Sequence, residues 1–137
     1  MMDFVVDASV TMAWCFEDES TSYTESVLER LRGSSAVMPA IWPLEVANIL
    51  LLGERRGRVP RPKTQSFVRV LQELRVSVEE GSPASALGPV LQIGREYGLT
   101  SYDAAYLELA MRRGLPLATL DERLSAVAGR AGVDLVG

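Results

Sequence analysis

Leu-Thr-Ser-Tyr-Asp-Ala-Ala-Tyr-Leu-Glu-Leu-Ala-Met-Arg-Arg-Gly-Leu-Pro-Leu-Ala-Thr-Leu-Asp-Glu-Arg-Leu, residues 99 to 124, reads as helix, strand, helix. Thr100 stands where a helix N-cap is expected, Ala105 and Leu109 recur at helical spacing with Arg112 turned outward, and Gly114 falls where a C-cap is expected. The run from Pro116 to Thr119 is too short for a helix and reads as a buried strand. The next helical pattern begins at Asp121. Two carboxylates, Asp103 and Asp121, therefore lie at helix N-termini. In an open α/β sheet the carboxyl ends of the strands and the helix N-termini facing them are where ligands bind.

The start of the chain has the same order of strand, carboxylate and helix. Phe4, Val5 and Val6 form a continuous apolar run, the mark of a strand buried on both faces, and Asp7 stands at its carboxyl end. Helical spacing then runs through Val10, Ala13 and Trp14 to Phe16. Glu17 to Ser20 make an acidic loop, and Val27, Leu28 and Leu31 mark a helix ending at Gly33. Ala36 to Met38 is a second short strand. Pro43 suits the first turn of a helix from Trp42 to Arg56, whose Leu44, Val46, Ile49, Leu50, Leu51 and Leu52 occupy more than one face. Such a surplus calls for a second cover, either another layer of the same domain or a partner chain. Phe67, Val70, Leu71 and Leu74 form a helix stripe, and Val76 and Val78 a strand closed by the turn from Glu79 to Pro83. A weaker helix with Leu87, Val90 and Leu91 runs to Tyr97 and ends at Gly98. Leu124 and Val127 continue the last helix, and Val133 to Val136 reads as a terminal strand. The expectation is one α/β domain over residues 1–137, a mostly parallel central sheet with helices on both faces.

Composition narrows the chemistry. The 137 residues carry a net charge of −4, so the molecule as a whole does not draw nucleic acid by its field, and any such binding must be local. Five cations between two helices, Arg55, Arg56, Arg58, Arg61 and Lys63, are either a solvated connector or a local patch for RNA or an acidic partner. Histidine is absent, which excludes the Ser-His-Asp triad, Cys-His pairs and zinc sites built on imidazole. The single Cys15 forms no intrachain disulfide, which fits a reducing, cytoplasmic compartment. Asp3 and Asp7 near the start, with no early Lys or Arg, do not make a secretion signal, and Glu45 and Asn48 interrupt the apolar runs short of a membrane span.

Asp7, Glu45, Asp103 and Asp121 fall at strand ends or in first helical turns. Each has a local reading. Asp7 suits an N-cap, Glu45 complements a helix dipole, Thr100 to Asp103 resembles a capping box with Asp for Glu, and Thr119 to Glu122 is a Thr-x-x-Glu box. In a parallel sheet, however, every strand's carboxyl end lies on one edge, so these acids converge there. A cluster of like charges needs protons or a bound cation. Carboxylate oxygens without imidazole or thiolate select magnesium or manganese, whose remaining positions are filled by water and phosphate oxygens. The chemistry implied is hydrolysis of a phosphodiester with one or two ions and no histidine.

Taken in order, Asp7-Ala8-Ser9-Val10, Glu45 with Asn48 one turn on, Ser101-Tyr102-Asp103-Ala104-Ala105-Tyr106-Leu107 and Pro116-Leu117-Ala118-Thr119-Leu120-Asp121 resemble the PIN-domain ribonucleases. The likeness is greatest to the VapC toxins of toxin–antitoxin pairs and spans essentially the whole chain. The resemblance implies a magnesium- or manganese-dependent endoribonuclease restrained by a cognate antitoxin. It makes Asp7 and Asp103 the principal metal ligands, with Glu45 and Asp121 completing the pocket directly or through water. Ser9, Asn48 and Thr119 become the groups that orient ligands or substrate. The broad apolar helix from Trp42 and the Trp14-Cys15-Phe16 cluster are expected to form a surface for the antitoxin or for a homodimer. Two other magnesium chemistries fit less well. A phosphoacceptor domain needs a lysine at a late strand end, where this chain has none, and a phosphatase of the Asp-x-Asp type would need a second aspartate at Ser9. The non-enzymatic alternative is a PIN-like module that binds nucleic acid or protein without cleaving.

Overall fold

The computed structural model describes residues 3–137. Three strands alternate with helices in the first part of the chain: β1 (Phe4–Val6), α1 (Ala8–Ala13), α2 (Ser22–Arg30), β2 (Ala36–Met38), α3 (Trp42–Arg55), α4 (Arg61–Glu73) and β3 (Val76–Val78). They are followed by α5 (Pro83–Ser85), a π-helical turn over Ala86–Val90, α6 (Leu91–Tyr97), α7 (Ser101–Arg113), β4 (Leu117–Ala118) and α8 (Glu122–Arg130). The four strands form one sheet in the order β3-β2-β1-β4, every neighbouring pair parallel. Successive side chains on a strand point to opposite faces. All residues of β1, β2 and β4 are nevertheless buried, so both faces of the sheet are covered. β3, at one edge of the sheet, is partly exposed.

This order sets the position of the site. From β1 the chain moves outward to β2 and β3, then returns to place β4 on the other side of β1. The crevice where the winding reverses, beyond the carboxyl ends of β1 and β4, is where open α/β sheets bind ligands. Register carries the pairing up to that edge. Val5 lies opposite Leu117 and Val6 opposite Ala118, and the Asp7 amide donates to the Ala118 carbonyl at 3.1 Å.

The turn before β4 is built by Gly114. Its φ of 64° lies in the left-handed region that costs other residues about 1 kcal/mol or more. The Leu115 amide reaches back to the Ala110 carbonyl and the Gly114 amide to that of Met111, closing a Schellman motif. The π-helical turn has a similarly local cause. Pro89 has no amide proton for the α-helical ladder, and the Leu91 amide reaches Ala86 instead.

Two expectations are corrected and an open alternative is narrowed. Val133 to Val136 does not form a strand. It joins the sheet by a single bridge, Leu117 to Leu135, because the two residues of β4 leave no longer template. The Trp14-Cys15-Phe16 cluster is not a surface, since Cys15 and Phe16 are buried in the core and the Trp14 indole donates to the Thr24 carbonyl at 2.9 Å. Helix α3 is covered on one face only. Trp42, Val46 and Leu50 are buried at four-residue spacing, whereas Leu44 and Leu51 are 68% and 48% exposed, so the chain itself supplies no second layer over them. Among the described residues no helix is long and apolar enough to cross a membrane.

Candidate active site

Asp7 caps α1 directly beyond β1 and is 5% exposed. Its Oδ1 accepts from Ser9 Oγ at 2.6 Å and from the Val10 amide at 3.2 Å. Its Oδ2 accepts from Thr119 Oγ1, beyond the end of β4. The two hydroxyls are themselves anchored, since Ser9 Oγ accepts from the Leu120 amide and Thr119 Oγ1 from the Asp121 amide, each at 3.0 Å. Ser9 and Thr119, expected to orient ligands, thus lock the β4–α8 loop to the end of β1 through the Asp7 carboxylate.

Glu45 lies in the first turn of α3 and accepts from Tyr106 Oη of α7 at 2.6 Å. Asp103 lies in the first turn of α7 behind the Thr100 cap, whose hydroxyl accepts the Asp103 amide at 3.2 Å. Its carboxylate makes no reciprocal capping bond among the described residues. Asp121 corrects the reading of a Thr119–Glu122 capping box. Asp121 itself is the N-cap of α8, its Oδ1 accepting from the Leu124 amide at 3.0 Å. Thr119 is drawn away to Asp7. Asn48 is exposed one turn beyond Glu45 and lines a shallow depression with Glu45, Leu44 and Tyr102.

The acids share one electrostatic neighbourhood. Burial pushes the Asp7 carboxyl above the usual carboxylate range and the charge of Asp103 adds to this, against the bonds from Ser9, Thr119 and Val10. Glu45 is raised by burial and by Asp103 and Asp7, against the Tyr106 bond. Asp103 is raised by burial and by Asp121, and Arg123 of α8 opposes the rise. Among the described residues no three such side chains close into a ready coordination shell. The donor set is all carboxylate oxygen, and magnesium-type ions keep several waters and take only one or two protein carboxylates directly. The residues present therefore fit a hydrated hard cation rather than one caged by protein.

None of Arg55, Arg56, Arg58, Arg61 and Lys63 is among the charges that shift Asp7, Glu45 or Asp103. Arg55 is ten residues along α3 from Glu45, roughly 15 Å at helical rise. Arg58 is not free, pairing with Asp18 at 2.9 Å and Glu19 at 2.6 Å and stacking on Phe16. Two residues near the acids escaped the sequence reading. Tyr106 was visible only as a helical aromatic, although its place three residues after Asp103 puts both on one side of α7. Arg123 stood in a run of ordinary surface charges. A hollow of about 600 Å³ contains none of the four acids. It is an apolar groove between α3, α4 and β3, walled by Trp42, Val46, Leu50, Leu51, Val68 and Leu71 among others.

Residues 4–130 match the model of the PIN domain family. A relative from Pyrobaculum aerophilum, Ribonuclease VapC3, is 31% identical over 124 residues, covering 90% of this chain and 93% of that protein. Among solved structures, PAE2754 from Pyrobaculum aerophilum superposes with a TM-score of 0.70 at 26% identity, over 91% of this chain and 84% of that one. VapBC2 from Rickettsia felis, solved bound to a DNA fragment from its promoter, superposes with a TM-score of 0.65 at 15% identity over 98% of each chain.

Proposed function

We propose, from the premise that this chain belongs to the PIN domain family, that it is a magnesium- or manganese-dependent endoribonuclease acting as the toxin of a toxin–antitoxin pair in the cytoplasm. The observation that carries the reading is the buried Asp7 at the switch point of the sheet, electrostatically joined to Asp103 and Glu45 from two other helices. Burying carboxylates beside one another lowers stability. A site that keeps them is better explained by a cation than by folding.

In this reading Asp7 and Asp103 hold the cation, and Glu45 and Asp121 complete the pocket directly or through water. When bound, the ion supplies charge neutralisation at the attacked phosphodiester and acidifies water. Ser9, Thr119 and the Val10 amide hold Asp7 in one rotamer. Thr100 fixes the first turn of α7 and with it Asp103. Asn48 is placed to hydrogen-bond the incoming strand, and Arg123 offers a positive charge beside acids that would otherwise repel a phosphate.

The antitoxin is proposed to lay an apolar segment into the groove between α3 and α4, where Leu51 and Val68 are exposed. The uncovered face of α3 supports this part of the reading. The same uncovered face supports a homodimer, which sedimentation of the isolated protein would detect. RNA digestion tests the activity. Cleavage is expected with Mn2+ and none with EDTA, and Asp103→Asn should fall to background. Equal digestion in EDTA would overturn the reading. Stabilisation by Mn2+ without any cleavage would favour the silent binding module instead.

A further inference from the structure

We infer that Tyr106 is a positioning residue, holding the Glu45 carboxylate in the one orientation in which it can serve the cation site; this rests on the metal-dependent reading above. Tyr106 is 1% exposed, deep in α7, and its hydroxyl has crossed to α3 to donate to Glu45 Oε1 at 2.6 Å, a contact between residues 61 apart in sequence. A buried phenol needs a partner, but a backbone carbonyl would satisfy it equally well. Here the partner is one of the four acids.

Glu45 is long and only half buried, so without a tether its carboxylate would sample several rotamers and swing toward solvent, away from the like charges of Asp7 and Asp103. The phenol proton fixes the direction of Oε1, and among the described residues Oε2 has no protein donor. A carboxylate held in this way keeps lone pairs on both oxygens but can aim them in one direction only. Asp7 is handled in the same way by Ser9 of its own helix and by Thr119 beyond β4, so two of the acids are each oriented by a hydroxyl donor from a distant segment. Donors behind metal-binding carboxylates fix their direction, and removing one typically weakens binding by ~10-fold or more.

The test is Mn2+ titration followed by melting temperature and by calorimetry, on wild type, Tyr106→Phe, Glu45→Ala and the double variant. Phenylalanine fills the same space and cannot donate. Tyr106→Phe should fold, weaken Mn2+ binding about 10-fold and lower kcat with the KM for RNA unchanged. In the Glu45→Ala background it should have no further effect on Mn2+ affinity, because the tyrosine acts only through the carboxylate. Unchanged Mn2+ affinity in Tyr106→Phe, or an equal loss in both backgrounds, would overturn the inference while leaving the metal reading intact. A wild type that does not bind Mn2+ would remove the metal reading and this inference with it.

Discussion

Replacing Thr119 by valine removes one hydroxyl that makes two bonds at the centre of the site. Thr119 Oγ1 donates to Asp7 Oδ2 and accepts from the Asp121 amide. Valine keeps the shape and leaves a buried carboxylate oxygen and a backbone N–H unpaired. A lost hydrogen bond to a charged group is worth about 1.5–3 kcal/mol and a neutral one about 1 kcal/mol, so the metal-free protein should lose roughly 2–4 kcal/mol. An unfolding entropy of about 2.1 cal/mol/K per residue over 137 residues gives ~3.5 °C per kcal/mol. The melting temperature in EDTA should fall by about 7–14 °C. The loss should shrink in acid, because the Thr119 bond favours ionised Asp7 and its contribution disappears as pH falls through the folded pKa. Thr119→Ser, which keeps the hydroxyl, should recover most of the stability. A valine variant as stable as wild type, or a serine variant as unstable as valine, would refute the claim that this hydroxyl holds the site together.

Three further outcomes follow from the same geometry. Asp7, Glu45 and Asp103 are all raised by burial, so the stability each contributes is full below its unfolded pKa, about 4, and is lost as pH rises through the folded value. In EDTA, Asp103→Asn should therefore gain in melting temperature over wild type as pH rises from about 4 to about 7, and a difference flat with pH would contradict this. Leu51→Asp, on an exposed position of the α3–α4 groove, should change stability by no more than ~0.5 kcal/mol and leave RNA cleavage intact. The same variant should abolish antitoxin binding in calorimetry. Gly98→Ala places a Cβ at φ +66° and 3.3 Å from the Arg123 guanidinium, and should lower the melting temperature by about 3–5 °C for roughly 1 kcal/mol of left-handed strain.

Local signals proved legible wherever a single residue decides a local conformation. Thr100 and Gly114 bracket α7 as expected, and the unbroken apolar runs of β1 and β2 marked strands buried on both faces. Parallel pairing sets the edge on which Asp7, Glu45, Asp103 and Asp121 are expected, and the charges of Asp7, Asp103 and Asp121 are felt there by their neighbours among these acids. What stayed hidden depends on pairings between distant segments. Thr119 and Asp121 are equally good caps locally, and only the proximity of Asp7 draws Thr119 away and leaves the cap to Asp121. Val133 to Val136 has strand composition but meets a two-residue template. Phe16 and Cys15 looked like a sticky surface because nothing local says that the core will close over them. Tyr106 has the pattern of a core aromatic, and its hydroxyl partner lies on another helix.

The proposal on which the rest depends is that these four acids together hold one or two divalent cations. Crystals soaked in Mn2+ and measured at the manganese absorption edge test it directly. The account predicts an anomalous peak within coordination distance of an Asp7 oxygen and an Asp103 oxygen, with Glu45 and Asp121 reached directly or through one water. Manganese bound elsewhere, with Asp7 still held only by Ser9, Val10 and Thr119, would contradict it.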